Sequence, residues 1–156
     1  MFCIVMPVDG KNLLPPYEVT PPPVLSWATY LFKTDSGMEY EVRFSRKQDN
    51  ILHVSIAFGV TNEEFEGEEY VATNKGEMFR VMSTMVKIVR MYKEAHPHAS
   101  IYEFMGEARE KEKNLPQTAR IKLYYRYLPY IFDEPGWIIH FLKNHIVVTR
   151  DKDFKP

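Results

Sequence analysis

Hydrophobic and polar residues alternate in the first half of the chain. Between residues 40 and 45, the apolar Tyr40, Val42 and Phe44 alternate with polar side chains, which is the period of a half-buried strand. Turn-forming residues on either side separate this segment from two further apolar runs and predict an antiparallel meander. The predicted elements are a strand at 28–33, a turn at 35–37, a strand from residue 40, a turn at 48–50 and a strand at 51–60.

A helical period replaces the alternation after a short strand predicted at 70–73. The helix is predicted from about Asn74 to about Ala95, because apolar residues recur every three or four positions, as one buried helical face requires. Asn74 and Glu77 predict a capped start, since each side chain can satisfy a backbone group of the first turn. The residues of the apolar stripe are Met78, Val81, Met82, Met85, Ile88, Val89 and Tyr92.

The second half of the chain predicts a strand, a second helix and a hairpin. The strand covers residues 100–105. Asn114 and Pro116 are typical of a helix start, and Pro129 is expected to stop that helix because proline lacks the N–H that a helix interior needs. Residues 137–142 and 145–149 then read as two strands of a final hairpin. The order of elements predicts an α+β domain with a mixed, mainly antiparallel sheet and two principal helices.

A proline-rich segment precedes this domain. Six of the 11 prolines lie before Val24, which predicts an extended arm over residues 1–26 and a single α+β domain over residues 27–156. We favour an arm that packs along its own domain with Leu13, Leu14 and Tyr17 as anchors. An arm that docks on a partner protein is the alternative, because such segments serve both purposes.

The amino-acid composition argues against several classes of function, as the charge balance, the cysteine count and the hydropathy each indicate. The 20 basic and 21 acidic residues nearly cancel, so the sequence carries no strong nucleic-acid signal. A single cysteine, Cys3, excludes an intramolecular disulfide and favours a reducing compartment. No apolar run approaches the roughly 18 residues that a membrane span needs. The expectation is a cytoplasmic protein without a membrane partner.

No metal site is predicted. His53, His140 and His145 fall in strand patterns, and no helical His-x-x-x-His spacing accompanies them. The five acids between Glu63 and Glu69 lack the ligand spacing of a calcium loop, so a solvated loop is the preferred interpretation.

Two stretches carry a resemblance to a known family. Residues 73–80, Thr-Asn-Lys-Gly-Glu-Met-Phe-Arg, form a strand-to-helix loop, and residues 119–124, Ala-Arg-Ile-Lys-Leu-Tyr, form a later helix with a Leu-Tyr pair. Over residues 38–149 the chain distantly resembles the GNAT-type acyl-CoA N-acyltransferases. The resemblance implies a GNAT-like fold, acetyl-CoA as the acyl donor, and N-acetyltransferase activity.

The resemblance also implies roles for particular residues. In the family, the pyrophosphate lies against the strand-to-helix loop, the pantetheine arm lies between splayed strands, and a tyrosine of the later helix protonates the departing thiolate. That tyrosine corresponds to Tyr124. A carboxylate at the end of the preceding strand, Glu69 or its neighbour Glu68, is expected to deprotonate the acceptor amine. The residues expected to bind the cofactor are Thr73, Asn74, Lys75, Gly76, Met78 and Arg80.

A second hypothesis comes from a different class. The loop holds one glycine, Gly76, where the family loop is richer in glycine, and four tyrosines crowd residues 124–130. Exposed tyrosines favour protein interfaces. The alternative is therefore a non-catalytic accessory or structural protein of the phage type, which binds a protein partner through the proline-rich arm or the tyrosine-rich helix.

Overall fold

The computed structural model describes residues 13–23, 28–60, 75–105, 119–142 and 145–150, and these form a mixed seven-stranded sheet with two helices. This confirms the predicted α+β class. The strands are β1 (Val19–Thr20), β2 (Thr29–Lys33), β3 (Glu39–Lys47), β4 (Asn50–Val60), β5 (Ile101–Met105), β6 (Ile138–Phe141) and β7 (His145–Thr149). The helices are α1 (Lys75–Ala95) and α2 (Ala119–Ile131). The predicted strand at residues 70–73 lies outside the described residues.

The sheet runs in the order β1-β2-β3-β4-β5-β7-β6. Strands β2, β3 and β4 form the predicted meander, and β1, which was not predicted, pairs with β2 from the N-terminal segment. Gly37 takes a φ of 94° in the turn between β2 and β3, a conformation that glycine adopts without strain. The pair β4 and β5 is parallel, with α1 between them in the chain, and every other described pair is antiparallel. Strand β7 lies between β5 and β6, so the last two strands form the predicted hairpin.

Helix α1 packs its predicted apolar stripe against the sheet. The side chains of Val81, Met82, Met85, Ile88 and Val89 are almost completely buried. They meet the face of the sheet that carries the inward residues of each strand, such as Val42 and Phe104 in the same hydrophobic core. The helical period therefore identified the buried face correctly, with Met78 at the half-buried edge of the core.

The described part of the N-terminal segment packs on the domain. Tyr17 is buried, stacks on Phe32 of β2, and donates its backbone N–H to the Thr84 hydroxyl of α1 at 2.8 Å. Leu13 also contacts the core, whereas Leu14 is 39% exposed. Two of the three predicted anchors, Leu13 and Tyr17, thus contact the core within residues 13–23.

Helix α2 does not stop at Pro129, so that prediction was wrong. The helix includes Pro129 and ends at Ile131. Leu128 and Ile131 are completely buried, and their packing offsets the backbone hydrogen bond that proline cannot make. The end of the helix is also supported by Lys93, whose Nζ donates to the Ile131 carbonyl at 2.7 Å.

Candidate functional site

The parallel strands β4 and β5 separate at one end. Their ladder pairs residues 53–56 of β4 with residues 101–104 of β5 and ends at Ile56–Phe104. Strand β4 continues to pair with β3 as far as Val60. The β4–β5 ladder therefore does not extend to residues 57–60. We call this divergence the β4–β5 fork.

Tyr124 of α2 lies at this fork. Its ring centroid is 6.1 Å from that of Phe58 in β4 and 5.8 Å from that of Phe104 in β5. Phe58 follows the last ladder pair and Phe104 belongs to it. Tyr124 is 2% exposed, so its ring contacts one residue from each diverging strand. Two residues that the sequence did not single out, Phe58 and Phe104, therefore position the predicted tyrosine.

The first turn of α1 begins at Lys75 and Gly76. The N–H groups of a helical first turn lack intrahelical acceptors and carry the positive end of the helix dipole, so they favour an anion. The carboxylate of Glu77 in this turn accepts a hydrogen bond from the Ser36 hydroxyl. That contact ties Glu77 to the turn between β2 and β3.

Met78 and Arg80 have other described contacts. Met78 is half-buried against the core. The Arg80 guanidinium lies 3.9 Å from the centre of the Tyr17 ring, donates to the Pro15 carbonyl at 3.0 Å and pairs with Asp35 at 2.9 Å. Arg80 therefore joins the N-terminal segment to α1 and to the β2–β3 turn, and none of these contacts lies at the fork.

Three of the predicted site residues, Glu69, Thr73 and Asn74, lie outside the described residues, as does Glu68. The structure thus brings Tyr124 and the start of α1 onto elements that flank β4. It describes no geometry for the carboxylate that the resemblance implies.

A separate polar cluster surrounds Glu103 on β5. His53 Nε2 and His145 Nε2 lie 3.2 Å and 3.4 Å from its two carboxylate oxygens, and Lys47 Nζ lies 3.6 Å away. Burial holds the pKa of His53 below its usual value, and the nearby Lys47 charge acts in the same direction. Within the described residues, no group of three or more His, Cys, Asp or Glu side chains is arranged to hold a metal ion.

The tyrosine side chains of α2 pack mainly against the rest of the domain. Tyr124 and Tyr127 are buried, while Tyr125 and Tyr130 are half-buried. Tyr125 packs edge-on against Phe141 of β6 at 4.7 Å between ring centroids. The partly exposed tyrosines that the sequence predicted are therefore Tyr125 and Tyr130.

No protein-family model, curated protein or solved structure matches this chain. Neither of the two described helices has the length and apolar character needed to cross a membrane.

Proposed function

We propose that this protein is a GNAT-like N-acetyltransferase that uses acetyl-CoA. The observation that carries the proposal is the position of Tyr124 between Phe58 and Phe104, at the fork of two parallel strands. The family resemblance assigns the thiolate acid to this tyrosine and the pantetheine arm to a gap between splayed strands. A fork beside Tyr124 supports both assignments.

The fork offers groups that fit the donor. Beyond Ile56 and Phe104 the β4–β5 ladder stops, and it is between such diverging strands that the resemblance places the pantetheine arm. Among the described residues, no atom beyond Gly59 and its chain neighbours lies within 4 Å of the position that a Cβ of Gly59 would take. The first turn of α1, with Lys75 and Gly76, supplies N–H groups for the pyrophosphate.

In the proposed reaction, acetyl-CoA supplies the acyl group as a thioester. Glu69 takes a proton from the acceptor amine as its nitrogen forms the new bond to the carbonyl carbon. The Tyr124 hydroxyl gives a proton to the sulfur as the carbon–sulfur bond breaks. The products are then an acetylated amine and free CoA, and the catalyst is restored when Glu69 releases its proton to solvent and the Tyr124 phenolate takes one up.

The experiment that tests this proposal compares two tyrosines of α2. Tyr124→Phe and Tyr127→Phe each remove one hydroxyl from a buried ring on the same helix. Release of CoA thiol is followed with acetyl-CoA and a panel of primary amines. Loss of a general acid should lower the kcat of Tyr124→Phe roughly 10²- to 10⁴-fold, while Tyr127→Phe stays near wild type. Equal kcat values for the two variants would show that Tyr124 is not the general acid.

One observation favours the second candidate, a non-catalytic interaction protein. Ile51 and Leu52, next to the turn between β3 and β4, are 63% and 40% exposed. Adjacent exposed apolar side chains on a hairpin are a usual feature of protein interfaces. If the wild-type protein neither binds acetyl-CoA nor transfers its acyl group, this hairpin, together with the half-buried Tyr125 and Tyr130, is the surface to test for a partner.

A further inference from the structure

A polar cavity of about 270 Å³ lies where α1 ends. Helix α1 has 21 residues, so this end is roughly 30 Å from the start of the helix. The cavity residues used below come from the end of α1, from β5, from the segment after α2 and from the end of β7. They are Lys93, Pro97, Tyr102, Glu134, Trp137 and Arg150.

Tyr102 contributes a buried donor to this cavity. The residue is 0% exposed, and its hydroxyl has no hydrogen-bond partner among the described residues. The charges that act on this hydroxyl include those of Arg150 and Glu134, which also line the cavity. Burial raises the pKa of Tyr102, so the phenol stays protonated and able to donate. A buried hydroxyl without a partner is unfavourable and therefore favours a ligand that accepts a hydrogen bond from it.

Glu134, whose charge acts on Tyr102, is already paired. Glu134 Oε2 accepts from Lys93 Nζ at 2.8 Å and from Trp137 Nε1 at 2.9 Å. These two contacts fix Lys93 and Trp137 on one wall of the cavity. Lys93 thereby loses most of its ability to bind an additional anion.

Arg150 is a further cation that lines the cavity. Its guanidinium lies 5.1 Å from the centre of the Trp137 ring and donates to the Pro97 carbonyl. It has no carboxylate partner among the described residues. A guanidinium carries five N–H donors, so one contact to a carbonyl leaves others for a ligand.

We propose that this cavity binds a small organic carboxylate, with one oxygen accepting from the Tyr102 hydroxyl and the other from Arg150. The half-buried Trp137 provides the surface for its apolar part. The volume suffices, because a cavity of roughly 150 Å³ already accepts benzene. This site is independent of acyl transfer at the fork.

The test follows the indole N–H resonance of Trp137 in the full chain, assigned by its disappearance in Trp137→Phe. Benzoate, succinate and acetate are titrated, with benzamide and inorganic phosphate as comparisons. We expect at least one carboxylate to shift the resonance with saturation, and benzamide to leave it unchanged. Arg150→Gln should weaken that binding about tenfold or more, because a hydrogen bond to a charged group is lost. The control variant Arg43→Gln, on the exposed surface of β3, should not weaken carboxylate binding.

Tyr102→Phe provides a second readout, since it should weaken carboxylate binding without lowering the melting temperature of the ligand-free protein. A destabilised Tyr102→Phe would mean that the hydroxyl already has a partner. A destabilised variant would overturn the proposal. So would any of three binding results: no saturable binding by the three carboxylates, binding of benzamide as tight as theirs, or tighter binding of phosphate.

Discussion

Tyr124 of α2 and Phe58 of β4 meet edge to face, with their ring centroids 6.1 Å apart. Phe58 lies beyond the last β4–β5 ladder pair, so this contact holds the tyrosine where the two strands part. A pantetheine arm between the diverging strands, as we propose, would run beside this aromatic pair. The relationship links a packing interaction to the chemistry that we propose for the fork.

The stripe of α1 should supply a large part of the core stability. Met85 and Ile88 are completely buried, so Met85→Ala or Ile88→Ala should lower the free energy of unfolding by about 2 to 5 kcal/mol. Lys87→Ala, on the exposed face of the same turn, should change it by less than about 0.5 kcal/mol. Urea titration measures all three variants, and a loss near zero at Met85 and Ile88 would contradict the orientation of the helix.

The N-terminal segment should contribute through Tyr17. Because this buried ring contacts Phe32 and the Arg80 guanidinium, Tyr17→Ala should cost about 3 to 5 kcal/mol, as for other buried aromatic residues. Leu14→Ala, at a mostly solvent-facing position, should cost less than about 1 kcal/mol. The melting temperatures of the two variants check this, and equal values would show that Tyr17 does not anchor the segment.

The sequence predicted those elements whose own residues determine them. The stripe of α1 repeats over about four turns, and the alternation at Tyr40, Val42 and Phe44 fixes which face of β3 is buried. Pro129 did not stop the helix, because the unfavourable effect of proline inside a helix is outweighed by the burial of Leu128 and Ile131. That burial depends on the folded structure and is not evident from the sequence.

The sites depend on contacts between distant segments. Tyr124 could be named from the Leu-Tyr pair, but its partners Phe58 and Phe104 come from two strands that only the folded sheet brings together. The cavity beside Tyr102 and Arg150 combines four separate parts of the chain. No local spacing marks such a cavity, so sequence patterns did not reveal it.

Stability should fall as the pH drops through the usual histidine range. Burial lowers the pKa of His53 from 6.5 in the folded protein, so on acidification the unfolded chain takes up a proton first. The free energy of unfolding should therefore hold steady above about pH 7 and fall as the pH drops from there toward the folded-state pKa. The same direction applies to His140, whose pKa burial also lowers.

His53→Gln should make this fall shallower, because it removes one group that protonates more readily in the unfolded chain. His98→Gln, on the exposed turn after α1, controls for the loss of an imidazole as such. Urea titrations at several pH values give the slopes. A His53→Gln slope as steep as that of the wild type would exclude His53 as a source of the acid sensitivity.

Binding of acetyl-CoA, measured by calorimetry, tests the proposed function most directly. We predict one molecule bound per chain and, at 100 times the dissociation constant, a stabilisation of about 2.7 kcal/mol. Gly76→Val should weaken binding by obstructing backbone approach to the pyrophosphate, while Ala95→Val, at the other end of α1, should not. Circular dichroism confirms that both variants fold. Absence of binding heat and of thermal stabilisation in the wild-type protein would contradict the acetyltransferase proposal.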